Sequence, residues 1–211
     1  SLHLCEAPGG FVQCVARLHD DLTSWSWLAV SLSPDAAGER VPTFSTELLP
    51  MHRGRVLLAD VGDEQALAAH VQGGTCDLVT ADGSSDLDPN RLEELHLPLL
   101  WKETRAAFGA LSEGGTLVIK FFEGRRVATL RWIAFLTLHF EAVSVIKPTT
   151  SRPTNSERYA VCVGYAPSDR PVTHDWSVVL SRDWRRDTHH VMEAFARKQV
   201  ECIQAVMPRR R

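Results

Sequence analysis

The stretch EAVSVIKPTTSRPTNSERYAVCVGY, residues 141–165, contains two apolar segments separated by about ten polar residues. Each segment has the pattern of a β-strand, and the second, Glu157–Tyr165, alternates as an edge or antiparallel strand does. A connection of this length is too short for a helical crossover between parallel strands. We therefore predict that the last strand of the chain runs antiparallel to its neighbour.

Upstream of this stretch, strand patterns alternate with helix patterns. Strands are predicted at 2–7, 25–32, 54–61, 76–82 and 114–122. Helices are predicted at 11–19, 63–71, 91–111 and 126–140, with Pro98 kinking or dividing the third. Apolar strands separated by helices indicate a parallel sheet covered on both faces. We expect an α/β fold with a Rossmann-like, doubly wound, mostly parallel seven-stranded sheet.

The strand–helix rhythm ends near residue 167, which we take as the end of one domain that starts at residue 1. Residues 168–211 then form a C-terminal extension with an amphipathic helix at 191–207 and a basic tail at 209–211. The chain has 211 residues, of which 44% are hydrophobic, so one well-packed domain is expected.

Charge and cysteine content exclude several classes of protein. A formal charge of −3 argues against a domain that binds nucleic acid with its whole surface, although a local basic groove is compatible with it. The five cysteines are scattered without a Cys-x-x-Cys pair, which favours reduced thiols in an intracellular protein and neither disulfides nor a zinc site. The sequence has no apolar run long enough to span a membrane.

Lysine is rare in this chain. Only four of the 23 basic residues are lysine, and the others are arginine. A lysine retained in such a background is more often required as lysine, because its ammonium can lose a proton and the guanidinium of arginine cannot.

Polar residues follow several predicted strands where ligands bind in open α/β sheets, at the carboxyl ends of the strands. Glu6 and a Gly-Gly turn follow the first strand, and Asp60 lies near the end of the third. Asp82, Lys120 and Glu157 lie at three further strand ends and would form a charged cluster suited to acid–base chemistry on a hydroxyl group.

Each of these residues also has a structural interpretation. The Gly-Gly turn is compatible with an ordinary strand–turn–helix connection, and Asp60 with a helix N-cap. Lys120 is compatible with a side chain that reaches solvent from the end of a strand.

Five segments in this order resemble the FtsJ/RrmJ-type ribose 2′-O-methyltransferases: CEAPGGF, WSWLAVSLSP, VTADGSSD, GGTLVIKFF and KPTTSRPTNSERYAVC. Within that family they are most similar to the eukaryotic mRNA cap-specific enzymes. The second and third segments resemble the branch that methylates the second transcribed nucleotide, whereas the last resembles the branch that methylates the first. The resemblance spans residues 1 to about 165 and implies the fold predicted above, which is usual for methyltransferases that depend on S-adenosylmethionine.

The resemblance also implies roles for individual residues. A Lys-Asp-Lys-Glu tetrad would activate the ribose 2′-hydroxyl, with Asp82, Lys120 and Glu157 as its last three members. Lys120 would accept the proton, and the two carboxylates would hold its ammonium. The residues implied in S-adenosylmethionine binding are Glu6, Pro8, Gly9, Gly10, Phe11, Trp25, Asp60 and Asp82. Trp25 is equally compatible with a core aromatic residue.

The chain departs from the family pattern at the first lysine of the tetrad. That lysine precedes the glycine turn in the family, whereas the first lysine here is Lys102. We expect either that the chain is truncated upstream and the missing segment supplies the lysine, or that activity is weakened.

The resemblance leaves more than one function open. Besides methylation of capped mRNA, an rRNA or tRNA 2′-O-methyltransferase and a non-catalytic binding module of a larger capping protein fit the sequence. For an enzyme acting on mRNA, the resemblance implies a location in the nucleus or cytoplasm. Four arginines flank the catalytic strand ends and are candidates for phosphate contacts with RNA: Arg125, Arg126, Arg152 and Arg158.

Overall fold

The structure is a computed structural model that describes residues 1–33, 42–44, 49, 53–84, 88, 91–168, 172 and 182–206. Most of the segment between the predicted strands at 25–32 and 54–61, and the predicted basic tail at 209–211, lie outside the described residues.

Seven strands form a single sheet in the order β3-β2-β1-β4-β5-β7-β6. The strands are β1 Leu2–Leu4, β2 Trp27–Ser31, β3 Gly54–Leu58, β4 Cys76–Ala81, β5 Leu111–Phe122, β6 Phe140–Ile146 and β7 Glu157–Tyr165. The first five pair in parallel, whereas β7 is antiparallel to both β5 and β6. The predicted fold class and the reversed last strand are confirmed.

The described residues contain five helices beside the sheet: α1 Gly10–Leu18, α2 Glu64–Ala68, α3 Leu92–Ala110, α4 Val127–Leu136 and α5 Arg182–Val206. Pro98 lies inside α3, which is assigned as one helix rather than two. The helix ends where Leu111 becomes extended, so β5 starts three residues before the predicted Gly114. No helix in the described ranges is long and apolar enough to cross a membrane.

The two faces of the sheet bury separate clusters, as side-chain alternation along a strand requires. In β2, Leu28 and Val30 belong to the larger cluster, which also contains Leu100 of α3, Trp132 of α4 and Met192 of α5. Trp27 and Ala29 point to the other face and pack with Val12 of α1 in a smaller cluster. Helices therefore cover both faces, as in a doubly wound sheet.

The antiparallel strand brings Glu157 to the edge where the parallel strands end. Glu157 is the first residue of β7 and pairs in register with Phe122, the last residue of β5. Asp82 directly follows β4, which lies on the other side of β5. Three of the predicted site residues, Asp82, Lys120 and Glu157, thus lie on three adjacent strand ends.

Candidate active site

The glycine turn after β1 has a backbone that only glycine adopts easily. Gly9 has φ of 116° and directly precedes the first residue of α1. A Cβ atom at Gly9 would lie 2.6 Å from Cδ2 of Leu49, whereas one at Gly10 would meet no atom within 4 Å. Gly9 is therefore required by the turn itself. Gly10 leaves open space in front of the helix, which lets a ligand approach the backbone closely.

Glu6 is buried beneath this turn and is 3% exposed. Its Oε1 accepts a hydrogen bond of 3.0 Å from the N–H of Val12, in the first turn of α1. Its Oε2 is buried without a hydrogen-bond partner among the described residues. Burial raises the pKa of Glu6 to about 7. Glu6 is also a lining residue of a cavity, so a donor group of a ligand bound there would lie close to this carboxyl group.

The ammonium of Lys120 is held by Asp82. Lys120 is 6% exposed, and its Nζ lies 3.0 Å from Oδ1 and 2.8 Å from the main-chain oxygen of Asp82. The hydroxyl of Tyr159 donates to the same Oδ1 at 2.6 Å. Tyr159 pairs in register with Lys120 across β5 and β7, so the two side chains lie on the same face of the sheet.

Glu157 does not pair with Lys120. The carboxylate of Glu157 is not within 4 Å of the Lys120 ammonium, whose carboxylate partner in the structure is Asp82. Of the two carboxylates predicted to hold Lys120, the structure therefore brings Asp82 into contact with it and leaves Glu157 apart. The side chain of Glu157 instead lines the cavity.

A cavity of about 530 Å³ lies in front of the glycine turn. It brings together six of the predicted site residues, namely Glu6, Pro8, Gly10, Phe11, Asp82 and Glu157. Its other lining residues are Ala7, Cys14, Val118, Ile146, Pro148, Thr150, Ser151 and Tyr159. The volume suits a small-molecule ligand. An unpartnered carboxylate oxygen, an open glycine and an aromatic ring fit a cofactor with an amino group and a ring system.

Asp60 lies two residues beyond β3, at the same edge of the sheet, but is not a lining residue of this cavity. Its carboxylate accepts a 2.6 Å hydrogen bond from the N–H of Gly62 and lies 3.2 Å from Nζ of Lys102. Both contacts, with that of Gly62 the larger, lower the pKa of Asp60. Lys102 thus pairs with Asp60 and not with Asp82.

The prediction that Trp25 binds the cofactor is corrected by the structure. Trp25 precedes β2, at the amino end of the parallel strands and therefore opposite the cavity. It is 6% exposed and stacks on His19 with ring centroids 5.3 Å apart. Its indole N–H donates to the hydroxyl of Ser1 at 2.9 Å. Trp25 is a core aromatic residue.

The four predicted phosphate-binding arginines differ in exposure. Arg152 is exposed, and the exposed guanidinium groups of Arg125 and Arg126 pair with Glu123 and Glu94 respectively.

Arg158 lies on the opposite face from Glu157 and is 3% exposed, with its Cζ 5.0 Å from the ring centroid of Phe195 in α5. Its Nε and Nη1 are buried without a hydrogen-bond partner among the described residues. In this conformation it is inaccessible to a phosphate group, so the prediction for Arg158 is wrong.

Two further residues beside the Lys120–Asp82 pair are absent from the sequence predictions. Tyr159 could have been found, because it lies two residues after Glu157 and strand alternation places both side chains on one face.

No comparable feature of the sequence points to Glu103 of α3, which is the other of these residues. It is fully buried, its Oε1 accepts a 2.9 Å hydrogen bond from the N–H of Gly83, and burial raises its pKa to about 7. Gly83 directly follows Asp82, so this carboxyl group lies immediately behind the Lys120–Asp82 pair.

Comparison with known sequences identifies the family. The sequence model of the FtsJ-like methyltransferase family matches residues 1–165, and the chain belongs to this family. The methyl donor of these enzymes is S-adenosylmethionine. The family resemblance found in the sequence is thereby confirmed.

Several curated relatives carry more specific names. The cap-specific mRNA (nucleoside-2′-O-)-methyltransferase 2 of Danio rerio is 33% identical over 96% of this chain and 29% of its own length. The protein of the same name from Drosophila melanogaster is 29% identical over 95% of this chain and 31% of its own length. This chain therefore spans about a third of these relatives.

This chain covers a larger share of the length of one viral relative. The cap-specific mRNA (nucleoside-2′-O-)-methyltransferase of Autographa californica nuclear polyhedrosis virus is 32% identical over 76% of this chain and 62% of its own length.

Among solved structures, a putative ribosomal RNA methyltransferase from Plasmodium falciparum has a TM-score of 0.57 at 15% identity, covering 78% of this chain and 85% of that one. This likeness supports the fold.

Proposed function

We propose that this chain transfers a methyl group from S-adenosylmethionine to the ribose 2′-hydroxyl of a cap-proximal nucleotide of mRNA, the first or second transcribed. The observation that carries the proposal is the contact of the buried Lys120 ammonium with Asp82, which lines the same cavity as the glycine turn and Glu157. The names of the curated relatives favour capped mRNA over rRNA or tRNA as the substrate.

The cofactor would occupy the part of the cavity nearest the glycine turn. Glu6, Pro8, Gly9, Gly10 and Phe11 would surround its methionine part, with the free oxygen of Glu6 accepting a hydrogen bond from an amino group. S-adenosylmethionine supplies an electrophilic methyl group attached to a sulfonium. Asp60 would accept a hydrogen bond from the adenosine at the end of β3.

Lys120 would act on the ribose hydroxyl as a proton acceptor once its ammonium has lost a proton. The ribose oxygen would bond to the methyl carbon as the bond from that carbon to the sulfonium breaks, and S-adenosylhomocysteine would leave. The hydroxyl proton would pass to the neutral Nζ of Lys120. Asp82 would orient Nζ through its Oδ1 and its main-chain oxygen, because these contacts of 3.0 Å and 2.8 Å fix the amine in two directions. Glu157 would contact the incoming nucleotide from the opposite wall of the cavity.

The chain supplies three members of the Lys-Asp-Lys-Glu tetrad. Lys102 is not a substitute for the first lysine, because its ammonium is paired with Asp60. A substrate RNA would be held in part by the exposed arginines, Arg125, Arg126 and Arg152. An enzyme with this substrate would act inside the cell, in the nucleus or the cytoplasm.

Replacement of Lys120 tests the proposal. In the intact protein, Lys120→Ala should abolish methyl transfer to capped RNA, while affinity for S-adenosylhomocysteine measured by calorimetry stays within about threefold of the wild-type value, since Lys120 binds no part of the cofactor in this account. Lys198→Ala is a matched control, because that lysine lies on the surface of α5, where it pairs with the exposed Glu201. Turnover retained by the Lys120 variant would contradict the assigned role.

The same assay separates the alternatives. Equal methylation of capped and uncapped RNA would favour an rRNA or tRNA enzyme. Cofactor binding by the wild-type protein without transfer to any RNA would favour a non-catalytic binding module.

A further inference from the structure

The loop between β6 and β7, residues 147–156, forms one wall of the cavity. Pro148, Thr150 and Ser151 line it, opposite the glycine turn. The loop leads directly into Glu157, whose side chain lines the same cavity. The conformation of this loop therefore decides where the Glu157 carboxylate enters the cavity.

Lys147 is the centre of a hydrogen-bond network inside this loop. Its Nζ donates to the hydroxyl of Ser151 at 3.1 Å, to Oδ1 of Asn155 at 2.6 Å and to the main-chain oxygen of Glu157 at 2.9 Å. The three acceptors come from the middle and the end of the loop. An ammonium has three N–H donors, and here each has an acceptor.

Arginine could not make the same contacts. The guanidinium is planar and presents its donors in a rigid fork, whereas the three acceptors here surround a single nitrogen atom. Lysine at this position is also notable in a chain with only four lysines among 23 basic residues.

The outer side of the loop is fixed independently by α5, which lies beyond the part of the chain that matches the family. The side-chain N–H of Gln199 donates to the main-chain oxygen of Thr154 at 2.9 Å. Within the loop, the main-chain N–H of Ser151 also donates to the main-chain oxygen of Pro148 at 3.0 Å. Because these contacts do not involve Lys147, its loss is expected to change the shape of the loop without unfolding the domain.

We propose that Lys147 is a positioning residue that holds the main chain of Glu157 and the loop wall in the geometry required for methyl transfer. The proposal rests on the proposed function, because it assigns the role of Lys147 to the same site. Lys147 acts through Glu157 and the loop, and it contacts neither the cofactor turn nor Lys120.

Two substitutions test the proposal in the intact protein. Lys147→Met removes the ammonium and keeps the aliphatic stem, whereas Lys147→Arg keeps the charge and changes the donor geometry. Both should lower kcat/KM for capped RNA by about 10- to 100-fold, as expected when a reacting group is displaced by about 1 Å. The Kd for S-adenosylhomocysteine should stay within about twofold, because the glycine turn is not touched. Lys198→Met serves as the control and should match the wild type.

Asn155→Ala provides a second variant that does not depend on replacing the lysine. It removes one of the three acceptors, and Asn155 is not a lining residue of the cavity. We expect a smaller loss of kcat/KM in the same direction, together with faster amide hydrogen exchange across residues 149–156. If Lys147→Met does not fold, this variant and Lys147→Arg decide the question.

The results that would overturn the proposal are distinct from a failure of the proposed function. Wild-type turnover in Lys147→Arg, or in a folded Lys147→Met, would overturn it, as would a loss of cofactor affinity equal to the loss of turnover. If the wild-type protein methylates no RNA, the proposed function fails. Hydrogen exchange then decides the role of Lys147, because unchanged exchange at 149–156 in Lys147→Met would contradict it.

Discussion

The hydroxyl of Tyr159 donates a 2.6 Å hydrogen bond to Oδ1 of Asp82, the oxygen that also lies 3.0 Å from the Lys120 ammonium. A single carboxylate oxygen thus has two donors from adjacent strands. Burial, followed by the hydrogen bond to Asp82, raises the pKa of Tyr159 well above its ordinary value, so the hydroxyl stays protonated as a donor. Tyr159 therefore limits the positions that the Asp82 side chain can take beside Lys120.

Tyr159→Phe should lower kcat while the protein stays folded. The variant removes one hydrogen bond to a charged group, worth roughly 1.5–3 kcal/mol, which corresponds to a loss in kcat of about 10- to 100-fold if the bond is needed in the transition state. Steady-state kinetics with capped RNA, with calorimetry of cofactor binding as the control, measures the effect. An unchanged kcat would show that Lys120 alone orients Asp82.

Glu103→Gln should alter the pH dependence of stability. The pKa of Glu103 is raised by burial from the ordinary value of 4.5 to about 7, so between these values the folded state binds more protons than the unfolded state. Glu103 therefore lowers the stability of the wild-type protein progressively as pH rises from about 4.5 to 7, and the loss is complete above that range. Glutamine keeps the acceptor for the Gly83 N–H and has no charge to bury.

The difference in unfolding free energy between Glu103→Gln and the wild type should therefore grow with pH. We expect it to increase by up to roughly 3 kcal/mol between pH 4.5 and pH 8, since each pKa unit corresponds to about 1.4 kcal/mol. Urea unfolding at several pH values measures it. Glu64→Gln is a control, because that carboxylate is exposed and pairs with Arg105 on the surface. A difference that does not vary with pH would contradict the assignment.

Substitutions of Asp60 and of Lys102 should differ in their effect on the affinity for the cofactor. If Asp60 accepts a hydrogen bond from the adenosine, Asp60→Ala should weaken binding of S-adenosylhomocysteine by about 10-fold or more, because a charged acceptor is lost. Lys102→Met should change affinity by no more than about threefold, since the pair is half-exposed and such pairs contribute only about 0–1 kcal/mol. Calorimetry on both variants provides the comparison, and equal effects would contradict a direct role for Asp60.

Substitution of Arg152 should change the affinity for RNA, whereas substitution of Arg158 should affect at most the stability of the fold. Arg152→Ala should weaken RNA binding and reduce the salt dependence of log Kd by about 0.7, the value expected for one phosphate contact with a single strand. Arg158→Met should leave that slope unchanged. Because two nitrogens of Arg158 have no partner among the described residues, a hydrophobic side chain of similar length should be neutral or stabilising.

Filter binding at several salt concentrations and thermal unfolding distinguish these outcomes. A reduced salt slope in Arg158→Met would indicate that α5 moves away and exposes the guanidinium to RNA.

The sequence was sufficient to predict the sheet, and the edge of it at which three charged residues meet, for identifiable reasons. The reversed β7 follows from the short connection after residue 148, and the convergence of Asp82, Lys120 and Glu157 follows from their places at strand ends. Arg158 could also have been assigned correctly, because it alternates with Glu157 and Tyr159 and must face away from the cavity.

Other features depend on contacts between distant segments and have no local signal. Glu103 is buried because α3 packs behind Gly83, and nothing in the periodicity of the helix marks that carboxyl group. Trp25 was misassigned because the apolar WSW block does not reveal where the strand begins. Since β2 starts at Trp27, Trp25 lies at the edge opposite the cofactor turn.

The position of the transferred methyl group is the most direct test of the account. The intact protein is incubated with S-adenosylmethionine and RNA bearing a cap, and the RNA is digested and analysed by mass spectrometry. We expect a 2′-O-methylribose at the first or second transcribed nucleotide, dependent on the cap and absent with Lys120→Ala. A methyl group on a base or at internal nucleotides, or transfer that persists in Lys120→Ala, would contradict it.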